Sequence, residues 1–165
     1  MKSRNNGVER FCKSYPIFCP PVKKRRLQIR RLFSFYHPVD FQKQISRWLI
    51  YALGNNQSAY DDGGAREDLL DFILDLDRLI EAYGQLFTKE AASSKFPVTE
   101  REKQDPMQII HQFRKNYSYS YAQTELLDLL EAVLSYNGYR KSYKGDIALF
   151  YQHLVFMLQQ TYTRF

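Results

Sequence analysis

The densest chemistry-bearing group in the chain is a set of carboxylates. Asp61 and Asp62 are followed by Asp68, Asp71 and Asp75. The last three fall at i, i+3 and i+7 and so share one helix face, where carboxylates together can hold a hard cation. The competing reading is a solvated acidic face suited to the positive N-terminal end of a helix, and that reading is expected here. Di-iron carboxylate bundles need Glu-x-x-His pairs, which the chain lacks. His37, His111 and His153 make no metal-binding spacing with one another. His153, beside Leu154 on an apolar helix, reads as a boundary histidine with satisfied hydrogen bonds. Cys12 and Cys19 lack the second ligand pair of a structural zinc site and read as two free thiols. No Gly-rich phosphate loop, Gly-x-Ser-x-Gly elbow or His-Glu-x-x-His motif occurs. Catalytic residues, metals and cofactors are therefore expected to be none.

The basic residues are more telling. Lys23, Lys24, Arg25 and Arg26 form an unbroken cationic run, followed by Arg30 and Arg31. Leu27, Leu32, Phe33, Phe35 and Tyr36 are interleaved, which makes the segment amphipathic. Residues 1–31 hold ten basic residues against Glu9 alone, so the net charge of +6 belongs to this arm and the rest of the chain is slightly acidic. Such a run neutralises phosphates and gives salt-dependent, sequence-independent nucleic-acid binding. An anionic membrane surface suits the same composition. Among binding partners, nucleic acid is favoured over a membrane or an acidic protein. The plainer alternative is a solubilising leader whose Leu and Phe residues dock on the body.

Arg31 and His37 form an Arg-x5-His sequence. It is loosely similar to the Arg-x(4–6)-His pattern of the HEPN helical ribonucleases. That resemblance implies a metal-independent ribonuclease in which Arg31 and His37 serve RNA cleavage at a dimer interface. The chain departs from the pattern in three ways. Leu32 follows the arginine where the family usually has a polar residue, Pro38 places His37 at a helix end, and the family's pair lies on a late bundle helix. The resemblance covers two residues and supplies only the alternative function.

At 165 residues, one domain with a sizeable core is expected. Hydrophobic residues are 44% and charged residues 25%, an ordinary globular balance. Aromatics reach 16%, with 13 Tyr, and this surplus of rings with wet hydroxyls suggests boundaries and interfaces for a protein partner or a homodimer. Neither a signal-peptide core nor an apolar run of about 20 residues appears, so a cytoplasmic protein without a transmembrane segment is expected.

The elements that must position these groups follow from periodicity. Residues 1–37 read as a basic, partly irregular arm and 38–165 as one helical bundle domain. Hairpin one spans 40–87, a linker 88–104, and hairpin two with its preceding helix 105–165. Asp40 is expected to cap the first bundle helix, with Phe41, Ile45, Trp48, Leu49 and Ala52 on its inner face. Gly54, Asn55 and Asn56 should end that helix, as residues that tolerate left-handed backbone. A helix over 65–87 carries Leu69, Ile73, Leu76, Ile80 and Tyr83 inward, with Asp68, Asp71, Asp75 and Glu81 on other faces. Asp105 and Pro106 read as N-cap and first helical residue. Ser120 with Gln123 reads as a capping box for a helix over 121–136, and Asp146 as the cap of the last helix.

The stretches 48–87 and 126–165 resemble two copies of one αα-hairpin. The expected fold is all-α: an antiparallel bundle of four main helices from two repeated hairpins, plus one or two shorter helices and the arm. The expected function is a non-catalytic helical binding or adaptor protein, with Lys23, Lys24, Arg25, Arg26, Arg30 and Arg31 meeting an anionic partner.

Overall fold

A computed structural model describes residues 29–33, 36–88, 99–138 and 144–164. The described residues are helical with no strand. A short helical segment at 29–33 precedes six helices: α1 (Pro38–Leu53), α2 (Gly63–Thr88), α3 (Glu100–Gln104), α4 (Pro106–Asn116), α5 (Tyr119–Ser135) and α6 (Lys144–Arg164).

Helix starts are set by local chemistry, not always where the strongest capping residue stands. α1 begins at Pro38, with His37 as N-cap in extended backbone and its Nδ1 accepting from the Val39 N–H at 3.4 Å. Proline fixes φ for the first helical position and forces the preceding residue out of the helical region, so the start moves ahead of Asp40. Asp40 lies in the first turn instead, where its charge still meets the helix dipole. α4 starts as expected, from Asp105 and Pro106. α5 starts two residues earlier than expected, because Ser118 accepts from the Tyr121 N–H. α6 likewise begins at Lys144, leaving Asp146 in its first turn.

Within the expected linker, Thr99 and Glu102 form a reciprocal capping box that starts α3. The residues Pro97, Phe96 and Val98 of that linker lie outside the described residues.

Gly54 ends α1 as expected, with right-handed backbone at φ −84° and ψ −5°, so its tolerance of left-handed backbone is not used. Space is what calls for glycine there. A Cβ would stand 3.2 Å from the Ile50 carbonyl oxygen and 3.3 Å from the Tyr136 ring. Asn55 then staples the loop to α5, donating Nδ2 to the Ala132 carbonyl at 2.9 Å and to Ser135 Oγ at 2.8 Å. This adds a donor to a carbonyl in the last turn of α5, where the backbone supplies no N–H and the Ser135 hydroxyl reaches only to 3.4 Å.

Packing follows a closed circuit: α1 against α2, α2 against α4, α4 against α6, α6 against α5, and α5 against α1. The circuit has five helices. α4, expected as a short prelude to hairpin two, is a full member between α2 and α6. α1 and α2 run antiparallel, since Pro38 at the start of one abuts Gly84 near the end of the other. α5 and α6 also run antiparallel, with Tyr119 against Tyr162 at 5.4 Å. α6 reaches across the circuit as well. Phe150 contacts Trp48 at 5.1 Å and Phe41 at 5.3 Å, and Tyr83 hydrogen-bonds Thr161 at 2.9 Å.

Trp48 is fully buried in this core. Tyr83 is fully buried as expected, whereas Tyr162 is half-buried and donates its hydroxyl to the Tyr117 carbonyl at 2.5 Å. Ile29, Leu32 and Phe33 join the same core, so the C-terminal end of the basic arm is anchored in the body. Truncating Trp48 to Ala should cost ~3–5 kcal/mol of unfolding free energy in a urea titration. A loss below about 1 kcal/mol would show that the core closes over the vacated volume.

Candidate functional site

The described part of the arm divides cleanly. Ile29, Leu32 and Phe33 turn inward, and Arg30 and Arg31 are exposed. Helical spacing produces this division, because 29, 32 and 33 share a face that 30 and 31 do not. The two arginines thus stand on a turn anchored by three buried side chains. Lys23, Lys24, Arg25 and Arg26 lie outside the described residues, as do Cys12 and Cys19. His37 is exposed and its Nδ1 serves the α1 cap. Residues 34 and 35, between the helical segment and His37, are outside the described residues.

A second feature is an open cleft of about 640 Å³ between α2, α3 and α4. Asp71, Asp75, Arg78, Thr99, Glu102 and Asn116 provide its polar walls, with Leu74 and Tyr117 beside them. Its groups are bonded mainly to one another. Arg78 Nη1 meets Asp75 at 3.3 Å, and Nη2 meets Glu102. Asn116 donates to the other Asp75 oxygen at 3.0 Å, and Gln112 in turn donates to Asn116 at 2.8 Å. Thr99 donates its N–H and its hydroxyl to Glu102 Oε2, each at 2.8 Å.

Burial raises the Glu102 carboxyl, but the Thr99 donors and Arg78 outweigh it and hold the group below its ordinary range. The Tyr117 hydroxyl is pushed up by burial and by the adjacent Asp75 carboxylate, which it hydrogen-bonds. Phenol, guanidinium and carboxylates are thereby fixed in place, and the cleft acts first as a clasp of α3 on α2. Replacing Arg78 with Ala should cost about 1–2 kcal/mol of stability, as expected for lost charge-assisted hydrogen bonds at a partly exposed site. Unchanged denaturation midpoints would show that α3 is held by other contacts.

The acidic face departs from its expectation. Asp68 and Asp71 are exposed, but Asp75 is engaged by Arg78 and Asn116. Glu81, expected on an outer face, is buried, and so is Asp77. Among the described residues no group of three or more His, Cys, Asp and Glu side chains is placed to hold a metal ion, and no helix is long and apolar enough to cross a membrane.

Besides Asp77, the buried titratable groups Tyr60 and Glu125 went unassigned in the sequence. Tyr60, in the loop after α1, donates its hydroxyl to Glu125 Oε1 at 2.9 Å. Burial raises the Tyr60 hydroxyl, with the Glu125 charge adding to the effect. Burial also raises Glu125, against the lowering effect of the Tyr60 hydrogen bond.

His153 is not at a boundary but completely buried, with the Tyr36 ring 5.2 Å away edge-on. Its apolar setting on α6 explains both facts, and burial pushes its pKa down to about 4. The folded state therefore binds fewer protons than the unfolded state between about pH 6.5 and 4, and His153 destabilises the fold as pH falls through that window. Wild type should lose about 2–3 kcal/mol more than His153→Asn over that interval, read from denaturant titrations at stepped pH. Parallel pH profiles for the two proteins would show that the imidazole is hydrated in the native state.

Compared with known proteins, the chain matches no family model, no curated protein and no solved structure.

Proposed function

We propose that this chain is a non-catalytic helical binding module that engages a polyanion, nucleic acid in the first place, through its basic arm. The supporting observation is the anchored turn, which holds Arg30 and Arg31 exposed above the buried Ile29, Leu32 and Phe33. A cation held on a packed platform loses less side-chain and backbone freedom on binding than one on a free tail. The unbroken run Lys23, Lys24, Arg25 and Arg26 lies directly upstream and extends the same charge.

A protein partner or a second copy would use the outer surface of the bundle. Leu127 and Leu134 are i and i+7 on the outward stripe of α5 and are 51% and 46% exposed, and Ile50 on α1 is 67% exposed. In this reading the two antiparallel pairs, α1 with α2 and α5 with α6, are diverged copies of one hairpin, and the arm lies outside both.

The test is salt-dependent binding to a nucleic-acid duplex and to anionic lipid vesicles. Lys23, Lys24, Arg25 and Arg26 are changed together to Gln, so that the buried turn stays intact. Nucleic-acid affinity should fall, and the slope of log affinity against log salt should become shallower by roughly 3–4. Tight vesicle binding with negligible duplex binding would move the partner to a membrane surface. Equal, negligible binding of both ligands by both proteins would remove the arm from function.

A further inference from the structure

The loop over 54–62, between α1 and α2, is tied to α5 at two points. Asn55 bonds the Ala132 carbonyl and Ser135 near the end of α5. Tyr60 bonds Glu125 in the second turn of α5, its hydroxyl 2.9 Å from Oε1 and 3.3 Å from the backbone carbonyl. The first tie is neutral. The second holds a carboxyl shut away from water, with Tyr60 3% and Glu125 9% exposed. Arg66 of α2 stands close by, but its Nε donates to the Tyr60 backbone carbonyl at 2.8 Å. Among the described residues Glu125 forms no ion pair.

The groups that act on the Glu125 carboxyl are Tyr60 from the loop, Asp68 from α2, and Tyr121 and Asp128 from α5 itself. α1 and α6, packed along α5, bring no described group whose charge moves it. Burial and the charges of Asp128 and Asp68 hold the carboxyl above its ordinary range, and the hydrogen bonds from the two phenols offset only part of this. Burial pushes both phenols up as well, with the Glu125 charge adding to the effect, so they stay protonated while the carboxyl titrates.

The tie therefore has two forms. With Glu125 protonated, its O–H donates to the Tyr60 oxygen and the Tyr60 hydroxyl donates to the Glu125 backbone carbonyl, so no charge is buried. With Glu125 ionised, the phenol proton turns to the carboxylate, and a charge is left enclosed beside two other carboxylates. Lifting the loop off α5 returns that charge to water.

We propose that Tyr60 and Glu125 form a proton-controlled latch, closed while Glu125 is protonated and released as it ionises, which sets whether the α1–α2 loop lies on α5. The closed form binds one proton more than the open form wherever the two carboxyl pKa values differ. Closure is therefore complete below the ordinary carboxyl pKa and weakens as pH rises through the raised one. His153 acts in the opposite direction, penalising the fold as pH falls, so a global unfolding curve would mix the two. The readout must be local to the loop. The latch is independent of the polyanion reading.

The experiment uses the full chain. Amide-exchange protection over residues 55–62 is measured at stepped pH and normalised to unstructured-peptide rates. In wild type, protection should fall by about tenfold for each unit by which the carboxyl is raised, between about pH 4.5 and 8. In Glu125→Gln, which keeps the size and the acceptor but carries no charge, it should stay high and flat. In Tyr60→Phe it should be low throughout. Flat protection in wild type, or an equal fall in Glu125→Gln, overturns the latch. Should Glu125→Gln not fold, the carbon-13 shift of the Glu125 carboxyl in wild type decides. It should titrate above the ordinary carboxyl range and in step with the loop amides, and a midpoint within that range overturns the proposal.

Discussion

The fold depends on the aromatic contact around Phe150. This one ring touches Trp48 at 5.1 Å, Phe41 at 5.3 Å and Tyr36 at 6.5 Å. It joins α6 to the middle of α1, to the start of α1, and to the end of the arm. Edge-on and tilted ring pairs add about 0.5–1.5 kcal/mol each beyond the area they bury. The buried Nε1–H of Trp48 has no hydrogen-bond partner among the described residues, which offsets part of that gain. The ring packing is strong enough to hold the indole there all the same. Without this cluster, α6 would lose its aromatic contacts with α1 and with the end of the arm.

The polar interactions sort into two kinds around this core. Some tie off backbone groups that a helix cannot satisfy alone, as Asn55 does for Ala132 and Thr99 does for α3. Others confine charge, as Arg78 does between Asp75 and Glu102. The cleft between α2, α3 and α4 is lined by groups of the second kind. Its phenol and the carboxylates of Asp75 and Glu102 are engaged with neighbours, so it reads as structure before chemistry. The exposed arginines of the arm are the better candidates for recognition.

Much of the helical architecture was legible in the residues, because a 3.6-residue period reports burial directly. Phe41, Ile45, Trp48, Leu69, Ile73, Leu76 and Ile80 all face the core as their spacing predicts. Helix starts were less legible. Asp40, Ser120 and Asp146 are good caps in isolation, but His37 and Ser118 lie where the chain actually turns into the helix. The capping box of α3 was readable, since Thr99 and Glu102 have the required spacing, yet a polar linker composition concealed it. Burial of charge was not readable at all. Asp77 and Glu81 have the same composition as the solvated acids beside them, and only packing separates the two sets. The same holds for His153, whose neighbour Tyr36 is more than a hundred residues away in sequence.

That last separation has a consequence for how the protein is made. The turn at 29–33 and Tyr36 leave the ribosome more than a hundred residues before Phe150 and His153 of α6. Until α6 leaves the ribosome, the apolar side of the arm and the inner face of α1 lack their main aromatic partner. Loop closure over such a distance adds entropy that local helix formation does not meet. Folding of the whole circuit therefore waits for α6. A nascent chain without α6 would carry an exposed apolar face next to a strongly cationic segment, a combination that favours holding by chaperones or the ribosome surface until α6 has emerged.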